Sequence, residues 1–497
     1  MVINKNKLNL YLFIIVFTTF SYLVYIYFDA FFDENKNYDG TIFFLSWLGI
    51  LIAIYIFYTW YKMTGKVFSL YTIFMLFFFL FNYGHPLMWA FGIHQPNEIG
   101  QAGLYTLGKP SSSNIMYTQM LTLLSMVMFH FGAVFCFKPR KTIKHDFNTK
   151  SNILESKINA KAIFYTCFIL SLFVIPITFF NTIHDLVYSQ EHGYQALYYD
   201  DNKSNIVIFN LIQRMFFPCL IGLLIGSNYK REIMYFVYII FSIYLVINLL
   251  SGDRGSWIYY LIILIYMSHT FYRKIKWKKM FIYSGIGLLF LYLVNVIVLL
   301  RRSSGINLES IIESFTLKNY PIIEFIFEMG GSMKPALVLI QYGWDIWPYG
   351  NSYVTALIGL MPNNILSFFD IPFTSLGSWF SQNYLGISYG AGFSIIAESL
   401  INFGPIISPL VLVLLGYLVS SLTFLDKNIS IKDNPFRVFF AVSTLSVFIL
   451  LPRGHFQHVL NHWVYSVLIV VVLIVFMKNY LSSKIKKQIV EEVRRYG

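Results

Sequence analysis

The sequence predicts an all-α polytopic membrane protein of about twelve transmembrane helices, with both termini cytoplasmic and a large, partly helical loop on the outer side. Three observations predict it. Of 497 residues, 57% are apolar and only 12% are charged, with a mean hydropathy of +0.61, whereas soluble domains carry about 25% charged residues. Apolar runs of about 17–25 residues, enough to cross a bilayer, recur along the chain. Lys and Arg gather in alternate connections between those runs, as the positive-inside rule requires.

In chain order, the runs fall at about 8–28, 41–60, 67–91, 115–137, 161–181, 206–226, 232–250, 256–272, 278–300, 403–425, 436–451 and 462–478. The first is too long for the apolar core of a signal peptide and lacks a small-residue cleavage site, so it reads as a span. With both termini inside, 27 of the 37 Lys and Arg fall in inner segments and nine in outer ones, while Arg214 lies within a span near Pro218. The chain thus divides into helices 1–9 over residues 1–300, an outer loop over 301–392, helices 10–12 over 393–480 and a basic cytoplasmic tail over 481–497. The net charge of +13 belongs to this asymmetry rather than to a nucleic-acid surface. Cys136, Cys167 and Cys219 lie in or beside apolar runs, with neither metal-ligand spacing nor a partner to oxidise in an outer loop.

The outer side carries arginines where topology gives no reason for them. Arg254 sits in the tight turn Ser251–Trp257 between two spans, and Arg301, Arg302 and Arg453 stand immediately at span ends. One such residue would read as a helix anchor or the partner of a neighbour such as Asp253. Four together suggest a shared anionic ligand, because guanidinium groups hold phosphate bidentately and keep their charge. At a membrane face, that ligand would be a lipid-linked phosphate or pyrophosphate.

The loop after Arg301 is long enough to cover a site. Its amphipathic and apolar pieces, 308–317, 321–329 and 352–361, broken at Gly330-Gly331, Pro335 and Pro362, read as interfacial or half-inserted helices. Trp344, Trp347, Tyr349 and Trp379 have flat faces suited to sugar rings, and equally suit membrane-interface anchoring. Behind the loop, Ser394, Glu398 and Asn402 recur every four residues and make one polar stripe on an apolar helix, which Gly404-Pro405 then breaks or bends. A carboxylate there is a candidate general base. His455 is the second candidate, and Glu328, His85 and His94 follow. His455, His458 and His462 share helical spacing, but no acidic partner for a metal site can be identified, and interface histidines are the simpler reading.

The order of these features resembles the Wzy-type O-antigen (oligosaccharide repeat-unit) polymerases of bacteria. The resemblance is carried by Arg254-Gly255, Glu328-Met329-Gly330-Gly331-Ser332, Tyr349-Gly350-Asn351-Ser352-Tyr353 with Pro362, Gly392-Phe393-Ser394 with Ala397-Glu398 and Asn402-Phe403-Gly404, and Arg453-Gly454. It covers about residues 250–455. It implies a GT-C-like membrane glycosyltransferase of the inner membrane with its active site facing the periplasm. There a growing glycan leaves undecaprenyl pyrophosphate for a sugar of the next undecaprenyl-pyrophosphate-linked repeat unit. Arg254, Arg301, Arg302 and Arg453 would hold the pyrophosphate, and Glu398, with His455 and Glu328 behind it, would take the acceptor proton. The resemblance implies no cofactor, metal or nucleotide sugar. Its partners would be lipid-linked oligosaccharides, membrane lipid, a Wzz-type chain-length regulator and a flippase, and no nucleic acid. A ligase transferring finished glycan would share the bundle, the loop and the arginines. A lipid-linked oligosaccharide flippase would need polar groups deep in several spans, which this sequence largely lacks.

Overall fold

The structure, a computed structural model, describes residues 5–100, 108–136, 150–192, 207–251, 256–276, 278, 285, 287, 321–361, 366, 368–371, 373–388, 390–426 and 429–496. The described residues are helical and contain no strand. The helices are α1 (Lys5–Ala30), α2 (Asp39–Thr64), α3 (Leu70–Ala90), α4 (Ser112–Cys136), α5 (Lys150–His192), α6 (Val207–Gln213), α7 (Phe216–Gly226), α8 (Arg231–Ser251) and α9 (Ser256–Met267). After them come α10 (Pro321–Gly330), α11 (Lys334–Tyr342), α12 (Ser352–Ile358), α13 (Ile395–Thr423), α14 (Pro435–Phe448), α15 (Phe456–Trp463) and α16 (Ile469–Tyr496).

Ten helical stretches among the described residues are long and apolar enough to cross a membrane, and each coincides with one of the twelve predicted runs. Of the other two, 256–272 forms the shorter apolar helix Trp257–Tyr272, and 278–300 falls almost wholly outside the described residues. Hydropathy understates α5 most. The predicted run 161–181 is the middle of a 43-residue helix, which at 1.5 Å per residue spans roughly 65 Å, about twice the hydrocarbon thickness.

The chain folds as two compact units. One comprises residues 1–139, 275–421 and 449–460, and it carries the candidate site. Within it α2 packs on α3 and α4, α1 on α4, and α10 on α3. Phenylalanine fills the core, with Phe74, Phe77, Phe78 and Phe81 of α3 and Phe129 of α4 nearly or fully buried. Glycine sets the closest approach, since a Cβ on Gly132 of α4 would lie 1.9 Å from the Val413 carbonyl oxygen and one on Gly416 2.0 Å from that of Phe129. Small residues at such crossings let membrane helices gain contact without a hydrophobic driving force between them. Where several helices end, Tyr117 donates to Asp29, and Ser113 donates to the Glu34 carbonyl at 2.8 Å.

The second unit comprises residues 140–274, 422–448 and 461–497. In it α5 packs against α7, α8 and α16, and α14 lies on α7. Cys167 and Cys219 are buried core residues here, and Gly222 faces the Cys167 sulfur. Arg214, the mid-span charge, stands at the break between α6 and α7 and donates to the Asn461 side chain.

Candidate functional site

Helix α13 starts as its sequence dictates. Ser394 caps it, accepting from the Ala397 backbone N–H at 3.1 Å. One turn on, Glu398 is fully buried. Its Oε1 accepts from Ser352 Oγ at 2.7 Å, and its Oε2 accepts from the Phe456 backbone N–H at 2.6 Å. The second bond places the carboxylate at the first residue of α15, where the helix dipole favours a negative charge. Asn402, the next residue of the stripe, accepts from the Ser352 N–H at 2.7 Å and donates to Ser352 Oγ at 2.8 Å. Tyr353 bonds Ser399 at 2.8 Å and sets its ring edge-on to Phe456. The predicted stripe is therefore one side of a clamp joining α12, α13 and the start of α15. Backbone geometry completes it at Gly404, where φ +70° kinks α13 and Trp344 lies against the missing side chain.

This clamp fixes the turn that carries Arg453 and His455. The Arg453 carbonyl accepts from the Phe393 N–H at 3.4 Å. The Pro452 carbonyl accepts from Asn82 Nδ2 of α3 at 3.0 Å, and the exposed Arg453 guanidinium stands 5.8 Å from the centre of the Phe81 ring. His455 is half-buried, with its ring against Gly377. Burial, with His458 adding to it, pushes the imidazole down to about 3. His455 is thus neutral near pH 7 and a weak acceptor of protons. The structure brings Glu398, Arg453 and His455 together. Glu328 is exposed near the end of α10. Arg254, Arg301 and Arg302 lie outside the described residues.

The sequence reading passed over Lys334. It opens α11 just after the 3-10 turn Gly331–Met333, which realises the break predicted at Gly330-Gly331. Its side chain is 2% exposed. A buried ammonium at a helix N-terminus is disfavoured by both desolvation and the helix dipole. The available signal was a lone lysine between Gly-Gly and Pro335 in an otherwise apolar stretch. Burial holds Lys334 down to about 8, against roughly 10.4 for a free lysine. Between those two values the unfolded chain binds more protons than the folded one, so Lys334 makes stability rise with pH across that window. Lys334→Met is expected to flatten the rise in melting temperature between about pH 7 and pH 10, removing on the order of 1–2 kcal/mol of pH-dependent stability. Parallel melts of the two proteins in detergent would check this.

The loop aromatics contact one another. Trp347 meets Tyr349 and Trp379 edge-to-face at 5.0 and 5.1 Å, and Trp379 is 7% exposed. Trp344 and Tyr349 are the exposed members. His455 and His458 rings are 5.9 Å apart, but no three His, Cys, Asp or Glu side chains among the described residues are grouped to hold a metal.

The ten apolar helices mark a multi-pass membrane protein. No curated protein and no solved structure matches the chain. The family model for O-antigen polysaccharide polymerase Wzy matches residues 10–485, which takes in α2–α15, the clamp around Glu398 and the Arg453 turn. On that match, over nearly its whole length, the chain belongs to the O-antigen polysaccharide polymerase Wzy family.

Proposed function

We propose that this polymerase works at the periplasmic face of the bacterial inner membrane. It transfers a growing glycan from undecaprenyl pyrophosphate to a sugar hydroxyl of an incoming undecaprenyl-pyrophosphate-linked repeat unit. The observation that carries this reading is the Arg453 turn, whose backbone is held from one side by Glu398 and from the other by Asn82 of α3, so that an exposed arginine is carried on a fixed turn at helix ends. Negative charge grows on the departing pyrophosphate, and fixed cations stabilise that charge better than mobile water does. Arg453 with Arg301 and Arg302, which belong to the same unit, forms the proposed clamp, and Arg254 is a further candidate from the sequence alone. The lipid pyrophosphate already activates the donor, so the reaction as proposed calls on no metal or nucleotide sugar.

Glu398 takes a positioning role in this scheme. Each of its oxygens already accepts a bond that holds the site together, and proton capture would weaken both. Glu398→Gln replaces one acceptor by a donor facing either Ser352 or the Phe456 N–H. It is expected to cost about 1–3 kcal/mol of stability while activity per folded molecule stays within about tenfold of wild type, below the loss expected for a base. Melting curves beside polymerisation rates normalised to folded protein would decide. A fully stable but inactive Glu398→Gln would restore the base role.

The function as a whole is tested by deleting the gene and examining the surface glycan. Loss of a polymerase leaves single capped repeat units, and the wild-type gene restores the ladder. Loss of a ligase would instead leave bare core, and bare core would refute the reading.

A further inference from the structure

The Ala90 end of α3 concentrates polar groups that the pyrophosphate clamp does not use. His85 is completely buried, and among the described residues neither of its ring nitrogens has a hydrogen-bond partner. Trp89, one turn on, is 3% exposed, and its indole N–H is likewise unpartnered among the described residues. His94 Nε2 is buried and unpartnered in the same sense. Their rings gather around Phe327 and Trp89. The Phe327 ring is 4.1 Å from the His85 ring and 3.8 Å from the His94 ring, almost parallel to the latter, and His85 is 6.2 Å from Trp89. Lys334 is within electrostatic reach of His85. Each buried polar atom left without a partner costs about 1–3 kcal/mol, and folded proteins contain few. Several in one cluster indicate a ligand that completes them.

The donor and acceptor pattern says what kind of ligand. An indole N–H only donates, whereas a neutral imidazole donates at one nitrogen and accepts at the other. A phosphate offers acceptors alone, but a sugar hydroxyl does both. His94 is further specialised. Its Nδ1 lies 2.5 Å from Glu98 Oε2, four residues along the chain. A carboxylate on Nδ1 holds that nitrogen's proton and leaves the lone pair on Nε2, the orienting arrangement of a general base. Stacking on Phe327 fixes the ring plane. The same helix face leads back to the proposed clamp, since Phe81, under Arg453, is one turn before His85.

We propose that this cluster is the acceptor-sugar site and that His94, oriented by Glu98, is the general base of the transfer. The inference rests on the polymerase reaction proposed above and deepens it. In the step, the acceptor O–H bond breaks and its proton passes to His94 Nε2. The freed oxygen pair forms the bond to the donor's anomeric carbon. The bond from that carbon to the pyrophosphate oxygen breaks, and its electron pair leaves with undecaprenyl pyrophosphate. The His94 proton then returns to solvent. His85 and Trp89 bind neighbouring hydroxyls.

The test uses the purified full-length protein, reconstituted with its undecaprenyl-pyrophosphate-linked repeat unit, with kcat and KM read from product ladders. His94→Ala is expected to lower kcat by at least about 100-fold with KM changed little, and added imidazole should restore part of the rate. Glu98→Gln, which weakens orientation without removing the base, should lower kcat by about tenfold at unchanged KM. If His94→Ala melts early, His94→Gln, which keeps a polar side chain but cannot take the proton, carries the same expectation. Transfer by these His94 variants within about threefold of wild type, or a loss confined to KM, overturns the proposal. Absence of polymer from wild type under the same conditions would count against the polymerase reaction itself and is read separately.

Discussion

Arg453→Ala is expected to abolish long glycan chains, lowering transfer by at least about 100-fold, the range found when one preorganised group opposite a developing negative charge is removed. The fold should survive. Two bonds that hold this turn accept at backbone carbonyls, from the Phe393 N–H to the Arg453 carbonyl and from Asn82 to the Pro452 carbonyl, and alanine keeps both. The side chain itself is exposed and rests against Phe81, so its packing contributes little. Arg453→Lys should recover only part of the activity, because an ammonium supplies a point charge without the planar fork that holds two phosphate oxygens. The measurements are the surface-glycan ladder in a complemented deletion strain and the melting temperature of each purified variant. A long ladder from a normally expressed Arg453→Ala protein would remove this residue from the pyrophosphate clamp.

What the sequence disclosed and what it hid divide along physical lines. Spans, the helix break after Gly330, the Gly404 kink and the Ser394–Glu398–Asn402 stripe are local, and each is written in periodicity or in a glycine. The clamp is not local. Glu398 meets Ser352 46 residues away and Phe456 58 residues away, and helical spacing cannot say which distant N–H a carboxylate faces. For the same reason, both oxygens of Glu398 looked available from sequence when they are in use. The site's unit is assembled from three separated stretches of chain, a division that hydropathy does not carry. Lys334 was hidden differently, because its side chain is buried by packing that sequence does not reveal. His94 stood in the sequence only among the last base candidates, because its i,i+4 spacing to Glu98 follows the end of α3 and lies outside any apolar run, where no stripe draws attention to the pair. Arg254, Arg301 and Arg302 remain arguments from sequence.

The contact that brings these distant parts together also predicts the largest structural effect. Gly84 of α3 and Gly330 of α10 face each other without side chains. A Cβ on Gly84 would lie 2.5 Å from the Ile326 carbonyl oxygen and 2.9 Å from Gly330 Cα, and one on Gly330 would lie 2.4 Å from the His85 nitrogen. The obstructing atoms are backbone and cannot turn aside as a side chain would, so Gly84→Leu must push α10 off α3. That movement would carry Phe327 from between His85 and His94 and strip cover from His85, which α10 helps bury. The expected cost is about 3 kcal/mol, at the upper end for overpacking, well above the roughly 1 kcal/mol that replacing a helical glycine gains. The glycan ladder should be lost with it. Gly40→Ala is the control. Gly40 lies in the first turn of α2 with nothing within 4 Å of its added Cβ, so its substitution should leave melting temperature and ladder intact. A Gly84→Leu protein that melts with wild type and builds full-length chains would show that α3 and α10 do not meet at these glycines, and the acceptor site built across that contact would fall with it.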